Sequence, residues 1–285
     1  MINTTNKTRL LGIIGTPVEH TLSPDMHSMM ANRLGFDFAY LAFDVKNDAF
    51  KSVVAAAKAM DARGFNITSP YKIEVMDCID EIDSDALLMG TVNTIVNDGG
   101  KWTGYNTDGD GFANSLEAEG TELCGKRVLM LGAGGSARSV AYKLAKKKVS
   151  QISMSARNSA GMRVIGDMLE KHTDTRFSEG ISPNTDYDII INTTPLGMFP
   201  HERENPLAEP DIISKKTTVC DLIYNPGKTL LLSEAEKRGA RLVNGLSMLV
   251  MQGIYAFELF CGRKLPQQGE LYDMLMNYFG NFKLD

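Results

Sequence analysis

The 285-residue sequence has little of what marks several large protein classes. Its four cysteines, at positions 78, 124, 220 and 261, form no C-x-x-C pair, so neither a disulfide framework nor a structural zinc site is expected. Acidic residues (35) outnumber Lys and Arg (30), and a net charge of −5 offers no positive field to a nucleic-acid backbone. We therefore expect free thiols in a reducing cytoplasmic compartment and no nucleic-acid partner.

Long apolar runs are also missing. The first apolar run, Leu10–Ile14, is too short for a signal peptide. The most apolar late stretch, Leu246–Phe260, contains Ser247, Gln252 and Glu258, which favours a helix packed within the protein over a membrane span. Hydrophobic residues nevertheless make up 43% of the chain, which is enough to fill the cores of two domains of average size.

Short apolar runs alternate with helical stretches, which predicts an α/β fold with parallel sheets and crossover helices. Strands are predicted at Arg9–Ile14, Phe38–Val45, Gly64–Thr68, Arg127–Leu131, Gln151–Ser155, Asp188–Asn192, Thr218–Leu222 and Arg241–Val243, with a hairpin over Val92–Asn97 and Lys101–Tyr105. Helices are predicted at Ser23–Leu34, Asp48–Met60, Tyr71–Ile79 and Thr107–Glu119. A further helix follows the strand Arg127–Leu131 and ends at about Lys147, and helices are expected over most of 247–285. The strand series starts afresh after Asp108, so a domain boundary is expected there.

A glycine-rich turn follows the strand ending at Leu131. It reads Gly132-x-Gly134-x-x-Ala137 and leads into a predicted helix. Small residues at these positions let backbone N–H groups approach a pyrophosphate at the helix N-terminus. A plain structural turn is the competing interpretation, but the strand before and the helix after the turn favour dinucleotide binding.

The next strand indicates which dinucleotide is bound. A protein that selects NAD usually ends this strand with Asp or Glu, which binds the ribose 2′-hydroxyl. This chain instead reads Ser155-Ala156-Arg157-Asn158, without a carboxylate. Arg157 can offer a planar cation to a 2′-phosphate, although a solvated surface arginine is the alternative. The prediction is NADP, with NAD as a weaker alternative.

Four segments of the first half are rich in small polar residues: 15–27, 66–72, 90–94 and 104–109. Ser23 is predicted to cap a helix that has Pro24 at its first position. The hydroxyls of Thr21 and Ser23 could also bind a carboxylate beside free helix N–H groups. Asp108 could likewise be no more than a helix cap. His20 and His27, seven residues apart without a third partner, are interpreted as packing residues rather than metal ligands.

Together these segments resemble the shikimate dehydrogenase family. The opening matches G-x-P-x-x-H-[S/T]-x-S-P-x-x-H, and N-[V/I]-T-x-P-x-K, G-x-[V/I]-N-T and G-x-N-T-D-x-x-G follow in order. The resemblance continues through Gly132–Arg138, Asn192–Met198, Asp221–Pro226 and Gly245–Gln252, so that it spans residues 12 to about 262. Phe43-Asp44-Val45 is most similar to the branch that acts on shikimate or quinate.

The resemblance implies a substrate-binding and catalytic domain over 1–108, with the 247–285 helices packing back on it, and a Rossmann-like NADP-binding domain over 109–246. It implies Lys72 and Asp108 as the catalytic pair, which also contacts substrate. Substrate contacts are further implied for Thr21, Ser23, Thr68, Asn93, Tyr224 and Gln252. Cofactor contacts are implied for Gly132, Ala133, Gly134, Gly135, Ser136, Ala137, Arg157, Leu222 and Gly245. No metal is implied.

The implied reaction is the reversible NADPH-dependent reduction of 3-dehydroshikimate to shikimate, a step toward the aromatic amino acids. A broad quinate/shikimate dehydrogenase using NAD or NADP is the alternative enzyme. An NADP-binding regulator without catalysis, and a related dehydrogenase acting on a folate, are less favoured. The assembly stays open between monomer and homodimer.

Three residues depart from the family pattern. Thr21 stands where the family has serine, Ala156 where it has asparagine, and Ser247 where it has a second glycine. The change at position 21 bears on the choice between shikimate and quinate. The change at position 156 bears on how strictly NADP is preferred. None of the three involves the catalytic pair.

Overall fold

The computed structural model describes residues 4–182 and 185–280, and the α/β prediction is confirmed. The chain divides into two compact units. The first comprises Met1–Thr107 and Gln252–Leu275, and the second comprises Asp108–Met251 and Met276–Asp285. Within the described ranges, no helix is both long and apolar enough to cross a membrane. Residues 281–285, the end of the predicted late helices, lie outside these ranges.

The first unit contains a six-stranded sheet. Its elements are β1 (Arg9–Gly15), α1 (Ser23–Leu34), β2 (Phe38–Asp44), α2 (Phe50–Ala59), β3 (Gly64–Ile67), β4 (Glu81–Ile82), α3 (Ser84–Met89), β5 (Thr94–Asp98) and β6 (Lys101–Tyr105). The strand order is β2-β1-β3-β5-β6-β4. Strands β1 to β3 run parallel, β5 runs antiparallel to β3, and β6 runs antiparallel to β5.

The second unit contains a six-stranded sheet that is parallel throughout. Its elements are α4 (Asp108–Ala118), β7 (Arg127–Leu131), α5 (Gly135–Lys146), β8 (Gln151–Ser155), α6 (Ser159–His172), β9 (Arg176–Glu179), β10 (Ile189–Asn192), β11 (Thr218–Asp221), α7 (Leu230–Lys237) and β12 (Arg241–Val243). The order β12-β11-β10-β7-β8-β9 is that of a doubly wound sheet, with its switch point between β7 and β10. Ligands of such sheets bind at the carboxyl ends of the strands, beside this point.

Two further helices complete the chain, α8 (Leu246–Cys261) and α9 (Gln268–Gly280). Both faces of the first sheet are covered by apolar side chains. On one face Phe50, Tyr71 and Trp102 form a buried cluster with their neighbours. On the other face Tyr40 packs with Phe260 of α8. Apolar runs on strands that are buried on both faces explain why those strands could be predicted from sequence.

Two local predictions are wrong. Residues 71–79 form a short 3₁₀ turn over Glu74–Cys78 rather than an α-helix, because the Lys72 carbonyl accepts a hydrogen bond from Val92 N (2.8 Å) and is lost to the helical pattern. Ser23 is not the N-cap of α1. Leu22 takes that position with helical dihedral angles, and its carbonyl accepts from Met26 N (3.0 Å).

Candidate active site

The topology of the first sheet brings the four polar segments to one edge. Strands β1 and β3 are parallel neighbours, so the segments that follow Gly15 and Ile67 leave the sheet on the same side. Because β5 and β6 are antiparallel, β5 begins and β6 ends at this edge, where Thr94 pairs with Tyr105. Segments that are far apart in the sequence, from 15–27 to 104–107, are therefore neighbours in the first unit.

Side-chain hydrogen bonds connect these segments. Thr21 Oγ1 donates to Ser23 Oγ (3.1 Å), and Ser23 is bonded to the hydroxyl of Tyr40. The Tyr40 hydroxyl donates to Asn66 Oδ1 (2.8 Å), and Asn66 Nδ2 donates to Thr94 Oγ1 (3.0 Å). The two predicted carboxylate-binding hydroxyls thus belong to a continuous polar network at the sheet edge.

The network extends to the other end of the site. Thr94 Oγ1 donates to Asn93 Oδ1 (2.9 Å), and Asn93 Nδ2 donates to Thr107 Oγ1 (2.9 Å). Thr107 Oγ1 lies 3.5 Å from Gln252 Oε1. The predicted substrate residues Asn93 and Gln252 are therefore brought together through Thr107. We refer to the chain of bonded side chains from Thr21 to Gln252 as the polar network.

Burial makes this network electrostatically unusual. Desolvation raises the pKa of the Tyr40 phenol well above its usual value, although the bond from Ser23 opposes this shift. The His27 ring stacks on the Tyr40 ring with centroids 4.2 Å apart. His27 is fully buried, and desolvation lowers its pKa from 6.5 to about 3. His27 is therefore a neutral packing residue, as the sequence predicted.

The remaining predicted residues of this half lie next to the network. Thr68 is partly buried and donates its backbone N–H to Ile14 O (2.9 Å). Lys72 is partly buried, and its carbonyl is held by Val92, the residue before Asn93. Asp108 is buried and is the first residue of α4, one peptide bond after Thr107.

In the second unit the glycine turn lies at the switch point of the sheet. Gly132 has a φ of +107°, and a Cβ there would come within 2.6 Å of Thr193 Oγ1 after β10. Only glycine suits this conformation and this close approach. Gly134 precedes α5 as its N-cap and provides no capping side chain. A Cβ at Gly134 would meet no atom within 4 Å, so space is open beside the helix N-terminus.

Arg157 follows β8 by two residues. It is exposed and forms no ion pair among the described residues. Asn158 is accounted for differently: its Oδ1 caps α6 by accepting from Gly161 N (2.9 Å). The strand end carries no carboxylate, so the guanidinium is the charged group available there.

The loop after β11 carries Leu222 and Tyr224 and is tightly held at its start. Gly245 approaches so closely that a Cβ would lie 2.1 Å from Leu222 O, and Gly245 N donates to Ile223 O (3.0 Å). Asp221, buried at the end of β11, accepts from Ile223 N (3.0 Å). Burial raises the pKa of Asp221 to about 6 in spite of its hydrogen bonds.

Five polar residues of the two candidate sites were not among the predicted site residues: Tyr40, Asn66, Thr94, Thr107 and Asp221. All of them except Tyr40 lie in family motifs, so the motifs themselves were the available signal. The sequence pattern around Tyr40 indicates only a strand. Ser247, the departure noted above, is 2% exposed, and its hydroxyl has no hydrogen-bond partner among the described residues. Within those ranges, no group of three or more His, Cys, Asp or Glu side chains could hold a metal ion.

Known proteins are similar to this chain both in its first part and over nearly its whole length. Residues 13–95 match the family model of the shikimate dehydrogenase substrate binding domain. A shikimate dehydrogenase (NADP(+)) of Methanococcus maripaludis strain C6 is 41% identical over 263 residues, which cover 91% of this chain and 94% of that protein.

Solved structures agree along nearly the whole chain. A shikimate dehydrogenase crystallised with NADP+ is 39% identical, with a TM-score of 0.86 and 97% of each chain covered. The shikimate 5-dehydrogenase of Listeria monocytogenes, in complex with shikimate and NAD, is 34% identical, with a TM-score of 0.85 and coverage of 95% and 98%. The resemblance predicted from the motifs is thus confirmed, and the chain belongs to the shikimate dehydrogenase family.

Proposed function

We propose that this protein is an NADP-dependent oxidoreductase that interconverts 3-dehydroshikimate and shikimate on the pathway to the aromatic amino acids. The observation that carries the proposal is the polar network, which gathers hydroxyl and amide groups from six segments of the first unit. A ring that bears a carboxylate and several hydroxyls needs such a set of donors and acceptors. The first unit is the substrate-binding domain, and the second is the Rossmann-like cofactor domain.

Thr21 and Ser23 are proposed to bind the substrate carboxylate. Their hydroxyls lie 3.1 Å apart, at the start of α1. Both can turn their protons from each other toward an anion, and hydrogen bonds to an ionised group are about twice as strong as neutral ones. Thr68, Asn93, Tyr224 and Gln252 are proposed to bind the ring hydroxyls, which fixes the orientation of the carbon that reacts.

Lys72 and Asp108 are proposed to handle the proton. In the reduction, the Lys72 ammonium donates a proton to the ketone oxygen as it becomes an alkoxide, and Asp108 holds the ammonium in position. In the oxidation the same amine accepts the proton. The Lys72 carbonyl accepts from Val92 N, and Asn93 N donates to Tyr105 O. These backbone hydrogen bonds hold the segments that carry Lys72 and Asn93. Positioned acid–base groups of this kind accelerate a reaction by ~10²–10⁴-fold.

The second unit fits a bound NADP. The residues from Gly132 to Ala137 leave space at the start of α5, where backbone N–H groups and the helix dipole favour a pyrophosphate. Arg157 is available for the 2′-phosphate, while Leu222 and Gly245 are proposed to contact the rest of the cofactor. When bound, NADPH supplies the hydride. The missing asparagine at Ala156 leaves some activity with NAD, the alternative cofactor.

The protein is proposed to act in the cytoplasm. All four cysteines are free, and one of them, Cys124, is exposed, which suits a reducing cytoplasm. The assembly is proposed to be no larger than a homodimer. Light scattering after size exclusion checks this as a mass of one or two chains of 31.3 kDa.

The test of the proposed function is Lys72→Ala, assayed in both directions with NADP(H). Because the lost interaction belongs to proton transfer, kcat should fall ~10²-fold or more while shikimate affinity changes far less. A variant with unchanged kcat and only a raised KM would reduce Lys72 to a binding residue. Initial rates of the wild type on shikimate and quinate, each with NADP and NAD, separate the proposal from a quinate dehydrogenase.

A further inference from the structure

The Asp221 carboxylate accepts hydrogen bonds from three separate segments at the carboxyl edge of the second sheet. It is 1% exposed, lies at the end of β11, and pairs in register with Asn192 of β10. Its Oδ1 accepts from Asn192 Nδ2 (3.0 Å) and from Ile223 N (3.0 Å), and its Oδ2 accepts from Thr229 Oγ1 (2.7 Å). No cation forms an ion pair with it in the described ranges.

Each of the three donors controls a different segment. Asn192 also donates to Leu196 O (3.1 Å), so the loop after β10 is tied to Asp221. Ile223 belongs to the loop after β11. Thr229 is the N-cap of α7, where its hydroxyl accepts from Leu232 N (3.4 Å).

The loop after β11 is thereby held at both ends by one side chain. Residues 222–228 leave Asp221 and return to it at Thr229, and Leu222 and Tyr224 lie between these two points. A buried carboxylate that neutral donors alone satisfy is costly to keep, since burial of an ionised group opposes folding. The arrangement is better explained by a need to hold the loop than by stability.

We infer that Asp221 is a positioning residue, which acts on substrate and cofactor binding by holding the loop that carries Tyr224 and Leu222. The inference rests on the proposed function for the roles of those two residues. Asp221 itself is not proposed to touch either ligand. Its effect should pass through Tyr224, and that is what distinguishes it from a residue that only stabilises the fold.

The main experiment is a double-mutant cycle between Asp221→Ala and Tyr224→Phe, read as KM for shikimate. Asp221→Ala should raise KM about tenfold and weaken NADP+ in calorimetric titration, while kcat falls less. In the Tyr224→Phe background, Asp221→Ala should raise KM less than threefold, because coupled residues are not additive. Effects that multiply would overturn the inference, whereas a Tyr224→Phe enzyme with wild-type KM would instead remove Tyr224 from the proposed site.

A second pair of variants serves if Asp221→Ala does not fold. Thr229→Val removes one of the three donors and should raise KM severalfold, and Thr229→Ser, which keeps the hydroxyl, should restore it. Asp221→Asn should stay within about threefold of wild type, because the Thr229 hydroxyl can turn and accept from the new amide. If Thr229→Val lowers the melting temperature but leaves KM and NADP+ affinity unchanged, the role is structural only.

Asp188 provides the matched control. It lies just before β10, at the opposite edge of the same sheet, and its Oδ2 accepts from Arg127 N (2.8 Å). Asp188→Ala therefore also removes a carboxylate that holds a backbone N–H. KM for shikimate and NADP+ affinity should remain those of the wild type. A loss equal to that of Asp221→Ala would show that the sheet responds to any such change and would overturn the inference.

Discussion

The candidate site of the first unit is formed mainly by side chains, and that of the second unit mainly by the backbone. At the edge of the first sheet, side chains bond to one another from Thr21 through Asn93 to Gln252. At the edge of the second sheet, the backbone shapes most of the site, through the turn at Gly132 and the close approach of Gly245 to Leu222. The difference fits the two proposed ligands: a ring with a carboxylate and several hydroxyls would need side-chain donors and acceptors, whereas a dinucleotide can be held largely by backbone geometry.

The largest expected effect is on stability in acid, and the two units should respond in opposite directions. The pKa of His27 in the first unit is lowered from 6.5 to about 3. The folded state binds its proton less readily, so the stabilisation present above pH 6.5 is lost as the pH falls toward 3. With ~1.4 kcal/mol for each tenfold change in proton affinity, the loss is on the order of 5 kcal/mol. His27→Phe, which keeps the stacked ring, should abolish the part of this loss that falls between pH 7 and pH 4. The measurement is the free energy of unfolding in urea across that range.

Asp221 in the second unit supplies the opposite sign. Its pKa is raised from 3.8 to about 6, so its favourable contribution is full below pH 4 and is lost as the pH rises through 6. The change is roughly 3 kcal/mol. Asp221→Asn should therefore show a smaller fall in unfolding free energy than the wild type between pH 4 and 6.5. If both variants change the pH slope in the same direction, the contrast between the units is wrong.

The next largest effect concerns two glycines of the same turn. Gly132→Ala would place a methyl 2.6 Å from Thr193 Oγ1 at positive φ, so the free energy of unfolding should fall by ~3 kcal/mol. Gly134→Ala meets no protein atom, and its φ of −88° suits alanine, so the melting temperature should not change. NADP+ affinity should nevertheless fall at least tenfold, because the methyl occupies the approach to the helix N-terminus. Unchanged affinity in Gly134→Ala would contradict a backbone-made cofactor site.

A smaller effect is expected at the one charged side chain of the proposed cofactor site. Arg157→Ala removes charge-assisted hydrogen bonds to the 2′-phosphate, worth ~1.5–3 kcal/mol. NADP+ should weaken ten- to a hundredfold in titration, while NAD+, which lacks that phosphate, should change little. Equal losses for both cofactors would mean that the guanidinium does not reach the phosphate, and the preference for NADP would lose its support.

The smallest effect is expected at Thr21. Its methyl, absent from the family's serine, is stiff at χ1 and lies beside the proposed carboxylate site, next to the carbon at which quinate carries an extra hydroxyl. The wild type should therefore prefer shikimate, and Thr21→Ser should relax this preference by about 1 kcal/mol, the lower end of what a methylene is worth in a pocket. The measurement is the ratio of kcat/KM for the two substrates. An unchanged ratio would place the methyl away from the ligand.

The fold is predictable from sequence where a strand is apolar and buried. The predictions at Arg127–Leu131 and Gln151–Ser155 match β7 and β8 to the residue. The polar edge strand β9 and the two-residue β4 are not predicted, because their pairing partners alone define them. The turn after Tyr71 has the sequence pattern of a helix, and sequence does not reveal the distant Val92 N–H that binds the Lys72 carbonyl.

The candidate sites are predictable to different degrees. The glycine turn follows from conformational rules, so its residues can be identified from spacing. Thr21 and Ser23 gain meaning only through the family motifs, because a hydroxyl near a helix start is most often a cap. Tyr40 and Asp221 are not predicted, since the identity of a buried polar residue's partner depends on contacts across the fold. Tyr40 carries no local signature, and Asp221 is marked only as the first residue of a family motif.

The distribution of free thiols has a practical consequence. Cys220 lies within β11 with no exposed surface, one residue before Asp221, whereas Cys124 is exposed in the same unit. Desolvation raises the pKa of the Cys220 thiol far above its usual value, so alkylation requires the strand to open. The alkylation rate of the exposed Cys124 then serves as the internal reference. The slower alkylation of Cys220 measures how often the second sheet opens in the wild-type protein. Mass spectrometry of the two peptides, with and without NADP+, would follow cofactor binding without any reaction being catalysed.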